Sequence, residues 1–397
     1  MNPTIKARIE SIRRGEVPEG YKRTKAGIMP MSWCKEKIYQ AKDLFVSVSD
    51  KKHGGTLEVL SATQDRGIVP RRLVDIDIKY DDSNLGTYKK VDKGDFVISL
   101  RSFQGGIEYS DYVGIVSPAY TVVRSKQKIV SGYYKAYFKT EDFIKRLNIG
   151  TYGIRDGKQV SFDDFGDMVL HYPPVNEQEK IAEILAGQDR VIALKEKLLA
   201  EKQKQKKYLM QQLLTGKKRL PGFSGEWKSV QLGDLGLFYQ PKTLSQREID
   251  TQKGYPVYGA NGVIGFYKKY NHEFPQIIIT CRGSTCGTVG ITVEKSWING
   301  NAMVFNLDSN QNVDKYYMFY LCASFDFRKI ITGSGQPQIV REPLQQWQTK
   351  IPALTEQTAI ADILSTADKE IELLKKDIEQ EKLKKKSLMQ LLLTGIV

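Results

Sequence analysis

Apolar residues between positions 176 and 216 recur with a heptad period. Steps alternating four and three pass through Ile181, Leu185, Gln188, Ile192, Lys195, Leu199, Lys202, Lys206, Leu209 and Leu213. The same walk over 355–395 meets Ile360, Leu364, Ala367, Ile371, Leu374, Ile378, Glu381, Lys385, Leu388 and Leu392. Each seam is apolar at both ends and interrupted by charge in its third quarter. The pattern predicts helices that bury a narrow stripe against a partner. The two stretches align without a gap at an offset of about 179 residues, and roughly half of the aligned positions are identical. Pro173 and Pro352 oppose an earlier helix start, Asn176 and Thr355 can cap one, and Gly216 and Gly395 sit where a helix stops. About 39 helical residues, or roughly 58 Å, lie between these marks. A helix this polar cannot form a core alone, and its own duplicate is the natural partner. An isolated exposed helix is the plainer reading, which the ungapped duplication disfavours.

Between the helices the period changes. Alternating segments at Leu44–Asp50, Gly94–Arg101 and Tyr120–Ser125 predict strands. Ser131–Asn148 predicts a helix with Tyr134, Tyr137 and Phe138 on a core-facing stripe. A second module repeats the order: Pro275–Gly283 as strand, Lys315–Thr332 as aromatic helix, then a Gly-rich loop. Arg282 is placed like Arg101, and Gln338 like Gln159. Gly20–Trp33 echoes Thr215–Trp227, so the modules begin near Trp33 and Trp227. Residues 1–30 read as basic and peripheral, with a short helix starting at Pro3. The expected organisation is a first module over 1–172, a spacer helix over 173–216, a second module over 217–351 and a second spacer helix over 352–397.

The chain has 397 residues, 41% of them hydrophobic, enough for two or three domains with real cores. No apolar run reaches membrane-spanning length and the N-terminus is polar, which leads to the expectation of a soluble cytoplasmic protein. A formal charge of +14 points to a polyanionic partner, most often nucleic acid. Four cysteines form no CxxC pair, and Cys281, Cys286 and His272 fall one ligand short of a metal site.

No phosphate-binding loop, dinucleotide fingerprint, GxSxG or clustered histidines occur, so catalysis by this chain is not expected. Recognition needs cations for phosphates and guanidinium or amide groups for base edges. Module one offers Arg66, Arg71, Arg72, Arg101, Ser102, Gln104, Arg155, Lys158 and Gln159 on Gly-rich segments. Module two offers Lys242, Tyr258, Asn261, Arg282, Ser284, Thr285, Gln336 and Gln338. Read one at a time, such residues are ordinary surface turns; the matched placement of Arg101 with Arg282 and Gln159 with Gln338 favours recognition.

The duplicated EQxxIAxIL…LMQxLLTG, with LSATQDRGIVPR, ISLRSFQGGIEYS and GIVSPAY in module one and YGANGVIGFY and GNAMVF in module two, resembles the specificity subunit of type I restriction–modification systems. The resemblance covers the whole chain. It implies two target-recognition domains reading an asymmetric, bipartite DNA duplex, and spacer helices that dock two modification (methyltransferase) subunits. Restriction (translocase and nuclease) subunits would complete the assembly. It further implies that no cofactor is bound by this chain, S-adenosylmethionine, ATP and Mg2+ being used on the other subunits. The expected fold is α+β: two mixed modules joined by helices in an antiparallel coiled coil with pseudo-two-fold symmetry. Parallel helices would crowd both modules at one end, whereas DNA rises about 34 Å per turn and suits readers held apart by a rod. A non-catalytic adaptor without DNA preference is the alternative from another class.

Overall fold

The computed structural model describes residues 3–53, 56–74, 82–100, 102–150, 160–260, 262–333, 335 and 337–396. The duplicated stretches form two helices of 39 residues each, Val175–Leu213 and Leu354–Leu392. The chain divides into two compact units, Met1–Leu194 with Ile378–Val397, and Lys195–Asp377. Compactness therefore cuts each long helix in two rather than following the boundaries of the elements. The reason lies in the seam. Ile181 and Leu185 are part of the core of the first unit, and Leu388 and Leu392 pack against it. Leu213, Ile360 and Leu364 are part of the core of the second.

Within each unit the helix halves pair antiparallel. In the first, the Gln188 amide donates to Glu381 at 2.7 Å, and Lys385 meets Asp189 at 2.5 Å. In the second, Lys195 pairs with Asp377 at 2.8 Å, Lys202 with Glu370 at 2.7 Å and Lys206 with Asp368 at 2.5 Å. Numbers rise on one strand of the pair as they fall on the other. All seam positions, including Leu199, Leu209, Ile371, Leu374, Ile378, Leu388 and Leu392, are buried or half-buried. The charges that interrupt the seam are thus answered across it. Such half-exposed pairs contribute only about 0–1 kcal/mol each, so apolar burial carries the association and the charges set its register.

Each unit is built on an antiparallel four-stranded sheet of the same order. In the first it runs Phe45–Val48, Thr121–Ser125, Phe96–Ile98, Glu108–Tyr109. In the second it runs Leu237–Tyr239, Ala302–Asn306, Ile277–Thr280, Val289–Ile291. Ile277–Thr280 is buried along its whole length, as an unbroken apolar run demands. The aromatic stripe lies on the sheet of the first unit: Tyr134 and Phe138 meet Phe45 edge-on or tilted at 5.3 and 5.8 Å. The long aromatic helix expected over 131–148 is two helices, Ser131–Tyr137 and Glu141–Gly150. Thr140 divides them, its hydroxyl accepting the Phe143 N–H at 3.3 Å as a new helix cap. In the second unit the helix ends at Ala323, and a separate turn spans Phe327–Ile330 where Asp326 accepts from Arg328.

The N-terminal segment is not peripheral. Its helix, Pro3–Arg13, supplies Arg8, which donates to the Ile396 carbonyl at 2.7 Å. Tyr21 donates to the Gly395 carbonyl at 2.7 Å, and Trp33 packs against Gly395. In the second unit Trp227 packs against Gly216. Both glycines have φ +68°, the left-handed conformation that ends a helix. The segment ending at Trp33 therefore caps the second long helix, as the segment ending at Trp227 caps the first. One junction is covalent and the other is made by hydrogen bonds and packing.

Candidate nucleic-acid interface

In the second unit the Gly-rich segments converge on a turn that sequence reasoning passed over, residues 299–301. Gln240 donates to the Gly300 carbonyl at 3.0 Å, and the Thr243 hydroxyl accepts the Gly300 N–H at 3.2 Å. The Leu244 N–H donates to Asn299 at 2.9 Å, and Cys281 N–H to the Asn301 carbonyl at 3.2 Å. The Thr280 hydroxyl donates to the Ala260 carbonyl. These bonds gather the segments around 240–244, 258–260 and 280–285 at one end of the sheet. Residues 337–339 join them by backbone pairing, with Gly283 N–H on the Pro337 carbonyl at 3.1 Å and Ile339 N–H on the Cys281 carbonyl at 3.0 Å. Arg282 and Gln338 become directly opposed partners. The only sequence signal for the central turn was the Asn-Gly-Asn of 299–301, a turn tripeptide inside an apolar stretch.

The individual residues fare differently. Lys242, Arg282, Ser284 and Gln338 are exposed, and Thr285 is half-buried. Tyr258 is a correction: it is 8% exposed within an apolar cluster of Ile278, Ile298 and Val304, and its hydroxyl accepts the Val293 N–H at 3.1 Å. It builds the unit and presents no surface. Asn261 and Gln336 lie outside the described residues.

In the first unit the organiser is Lys139, at the end of the aromatic helix. Its ammonium donates to the carbonyls of Gly105 at 2.9 Å and Gln64 at 3.3 Å, and to the Glu108 carboxylate at 2.5 Å. Two recognition segments, 64–72 and 102–106, are so tied to one cation. Burial pushes the Glu108 carboxyl above its usual range, and the nearby Lys139 ammonium opposes that shift. Arg66, exposed, donates to the Leu73 carbonyl at 2.9 Å; Arg72, exposed, pairs with Glu58 at 2.9 Å; Arg71 is half-buried; Gln104 is exposed. Ser102 is the second correction. It is buried, and its hydroxyl accepts the Ser99 N–H at 2.8 Å, so it shapes the turn rather than facing a ligand. Arg101, Arg155, Lys158 and Gln159 lie outside the described residues.

Among the described residues no group of three His, Cys, Asp or Glu side chains is placed to hold a metal ion, and no helix is long and apolar enough to cross a membrane.

Known proteins share this architecture. The family model for the type I restriction modification DNA specificity domain matches residues 37–203 and 224–382. The type I restriction enzyme MjaVIII specificity subunit of Methanocaldococcus jannaschii is 26% identical, over 77% of this chain and 79% of the relative. The putative MjaX specificity subunit of the same organism is 24% identical, over 95% and 96%. The solved S subunit of a type I restriction-modification system from M. genitalium matches with a TM-score of 0.58 at 15% identity, over 89% of this chain and 95% of that one. A chain from a structure addressing complex assembly and conformational transition of the type I R-M system matches with a TM-score of 0.57 at 14% identity, over 96% and 100%. At such identity the solved structures speak to the fold alone.

Proposed function

The chain belongs to the type I restriction–modification DNA specificity family, and from that premise we propose that its two units read the two halves of a bipartite, asymmetric duplex site. It is the specificity subunit of such a system and not its catalytic chain. The observation that carries the two-reader proposal is the gathering, in each unit, of Gly-rich segments bearing exposed cations and amides at one place. The turn at 299–301 organises them in the second unit, and Lys139 in the first. Exposed Arg66, Arg72 and Lys242 suit phosphates and sequence-independent grip; Gln104, Arg282, Ser284 and Gln338 suit base edges. Arg71 and Thr285, half-buried, support them. The residues outside the described set, Arg101, Asn261, Arg155, Lys158, Gln159 and Gln336, keep the same proposed role on sequence grounds.

The long helices would carry the partners. Beside the buried seam, Ile184, Val191 and Leu194 in the first unit and Leu198, Tyr208 and Leu373 in the second are exposed. Apolar residues outside a satisfied seam support docking of two modification subunits. Restriction subunits would join that complex, with S-adenosylmethionine, ATP and Mg2+ handled on those chains, in the cytoplasm. The test is duplex binding by the full chain assembled with its modification subunits, over a salt series. The logarithm of affinity falls linearly with the logarithm of salt as counterions are released, and a reader still prefers its own site over unrelated duplex at the same salt. An adaptor without DNA sequence preference binds every duplex alike or none, and that result would end the proposal.

A further inference from the structure

Residues 337–339 and the end of the central strand at Arg282 form a small ribbon in the second unit. Arg282 and Gln338 are opposed across it, and Thr332 opposes Gln338 on the other side. The hydrogen bonds flank the Arg282–Gln338 pair: Gly283 N–H to Pro337 at 3.1 Å and Ile339 N–H to Cys281 at 3.0 Å. This is the close, non-bonded type of antiparallel pair, with Cα atoms about 4.5 Å apart and side chains side by side on one face. The pleat decides which face. Cys281 and Ile339, one residue away on each strand, are 1% and 3% exposed in the core. Arg282 and Gln338 therefore project outward, and both are exposed.

Their head groups are uncommitted. Arg219 and Arg328 in the same unit are held by Glu356 and Asp326. Among the described residues, the Arg282 guanidinium and the Gln338 amide make no hydrogen bond or ion pair. A guanidinium and a primary amide are the two groups that grip guanine and adenine bidentately in the major groove, which admits a two-stranded ribbon. The spacing of the pair is close to the roughly 3.4 Å between successive bases.

Resting on the reading of this chain as a DNA specificity subunit, we propose that the Arg282–Gln338 cross-strand pair is the base-reading element of the second unit. Arg282 reads a guanine and Gln338 an adenine at adjoining base pairs of one half-site. The core contacts of Cys281 and Ile339 fix the backbone of the pair before DNA arrives, and the two exposed side chains are ordered on binding.

Selection from a random duplex pool tests this, using the full chain with its modification subunits. Wild type is expected to select a bipartite motif with a guanine next to an adenine (on either strand) in one half. Arg282→Ala lowers preference at the guanine about 5- to 150-fold, and Gln338→Ala does so at its neighbour, with the other half-site unchanged. Arg282→Gln moves the preferred base from guanine towards adenine, which loss of structure could not do. If all three variants keep the wild-type motif, or weaken binding equally on every sequence, the pair grips phosphate or nothing and the inference is overturned. If wild type itself selects no motif, the inference falls together with the reading it rests on.

Discussion

The side-chain oxygen of Gln178 accepts the Val130 backbone N–H at 2.9 Å, while its amide donates to the Pro173 carbonyl at 2.8 Å. In the second unit Gln357 does the same, accepting from Asp314 N–H at 2.9 Å and donating to Pro352 at 2.9 Å. This is the glutamine of the duplicated Glu-Gln motif. Both residues are buried, and each ties the start of a long helix to the start of an aromatic helix. Gln178→Ala or Gln357→Ala leaves a backbone N–H and a carbonyl buried without these partners, at a cost of about 1–3 kcal/mol each. Hydrogen exchange should show the loss confined to the unit that carries the substitution. Equal loosening of both units would show that the bonds do not act locally.

The seam should separate apolar from charged contributions. Leu364 has no exposed surface, and Leu364→Ala is expected to cost about 2–5 kcal/mol. Lys202→Ala breaks a pair whose side chains are 36% and 51% exposed, and should cost less than about 1 kcal/mol. Thermal or denaturant unfolding of the two variants gives the comparison; a reversed order would contradict a helix pair held by its apolar seam.

His171 lies buried between two carbonyls, with Nδ1 at 2.8 Å from Leu393 O and Nε2 at 3.1 Å from Ala26 O. Burial lowers its pKa below the ordinary 6.5, and the Leu393 hydrogen bond opposes that shift without reversing it. A depressed base contributes stability above its unfolded pKa, and that contribution is lost as pH falls from about 6.5 through the folded value. Unfolding of His171→Asn should therefore show a shallower acid-side loss than wild type. Parallel pH profiles for the two proteins would remove this role.

Both long helices belong to both units, so their length should be felt in the DNA site. Inserting four residues into each adds about 6 Å of helix. The unspecified gap between half-sites should then change by roughly one or two base pairs. Mapping the modified sites of the lengthened variant checks this, and an unchanged gap would show that the helices do not set the spacing.

The long helices were legible in the sequence because they combine a sustained period with an ungapped repeat. The seam positions from Ile181 to Leu392 follow from that period alone. What local pattern could not supply was tertiary. Nothing near Arg8 or Tyr21 announces that they close on Ile396 and Gly395, far away in the chain. Tyr258 and Ser102 sit in Gly-rich, polar stretches, and residue type there does not reveal that the backbone folds them inward. Lys139 reads as the polar end of a helix; its role comes from two carbonyls delivered by distant segments. The matched placement of Arg282 with Arg101 and of Gln338 with Gln159 singled these residues out, but nothing in the sequence announced that Arg282 and Gln338 oppose each other across two strands.

The most direct measurement is modified-base sequencing of genomic DNA from cells that express the chain with its modification subunits, compared with cells lacking only this chain. Two units that read two half-sites predict a bipartite motif, two short blocks at a fixed gap, that disappears when the chain is absent. The same modified motif with and without the chain would contradict that role.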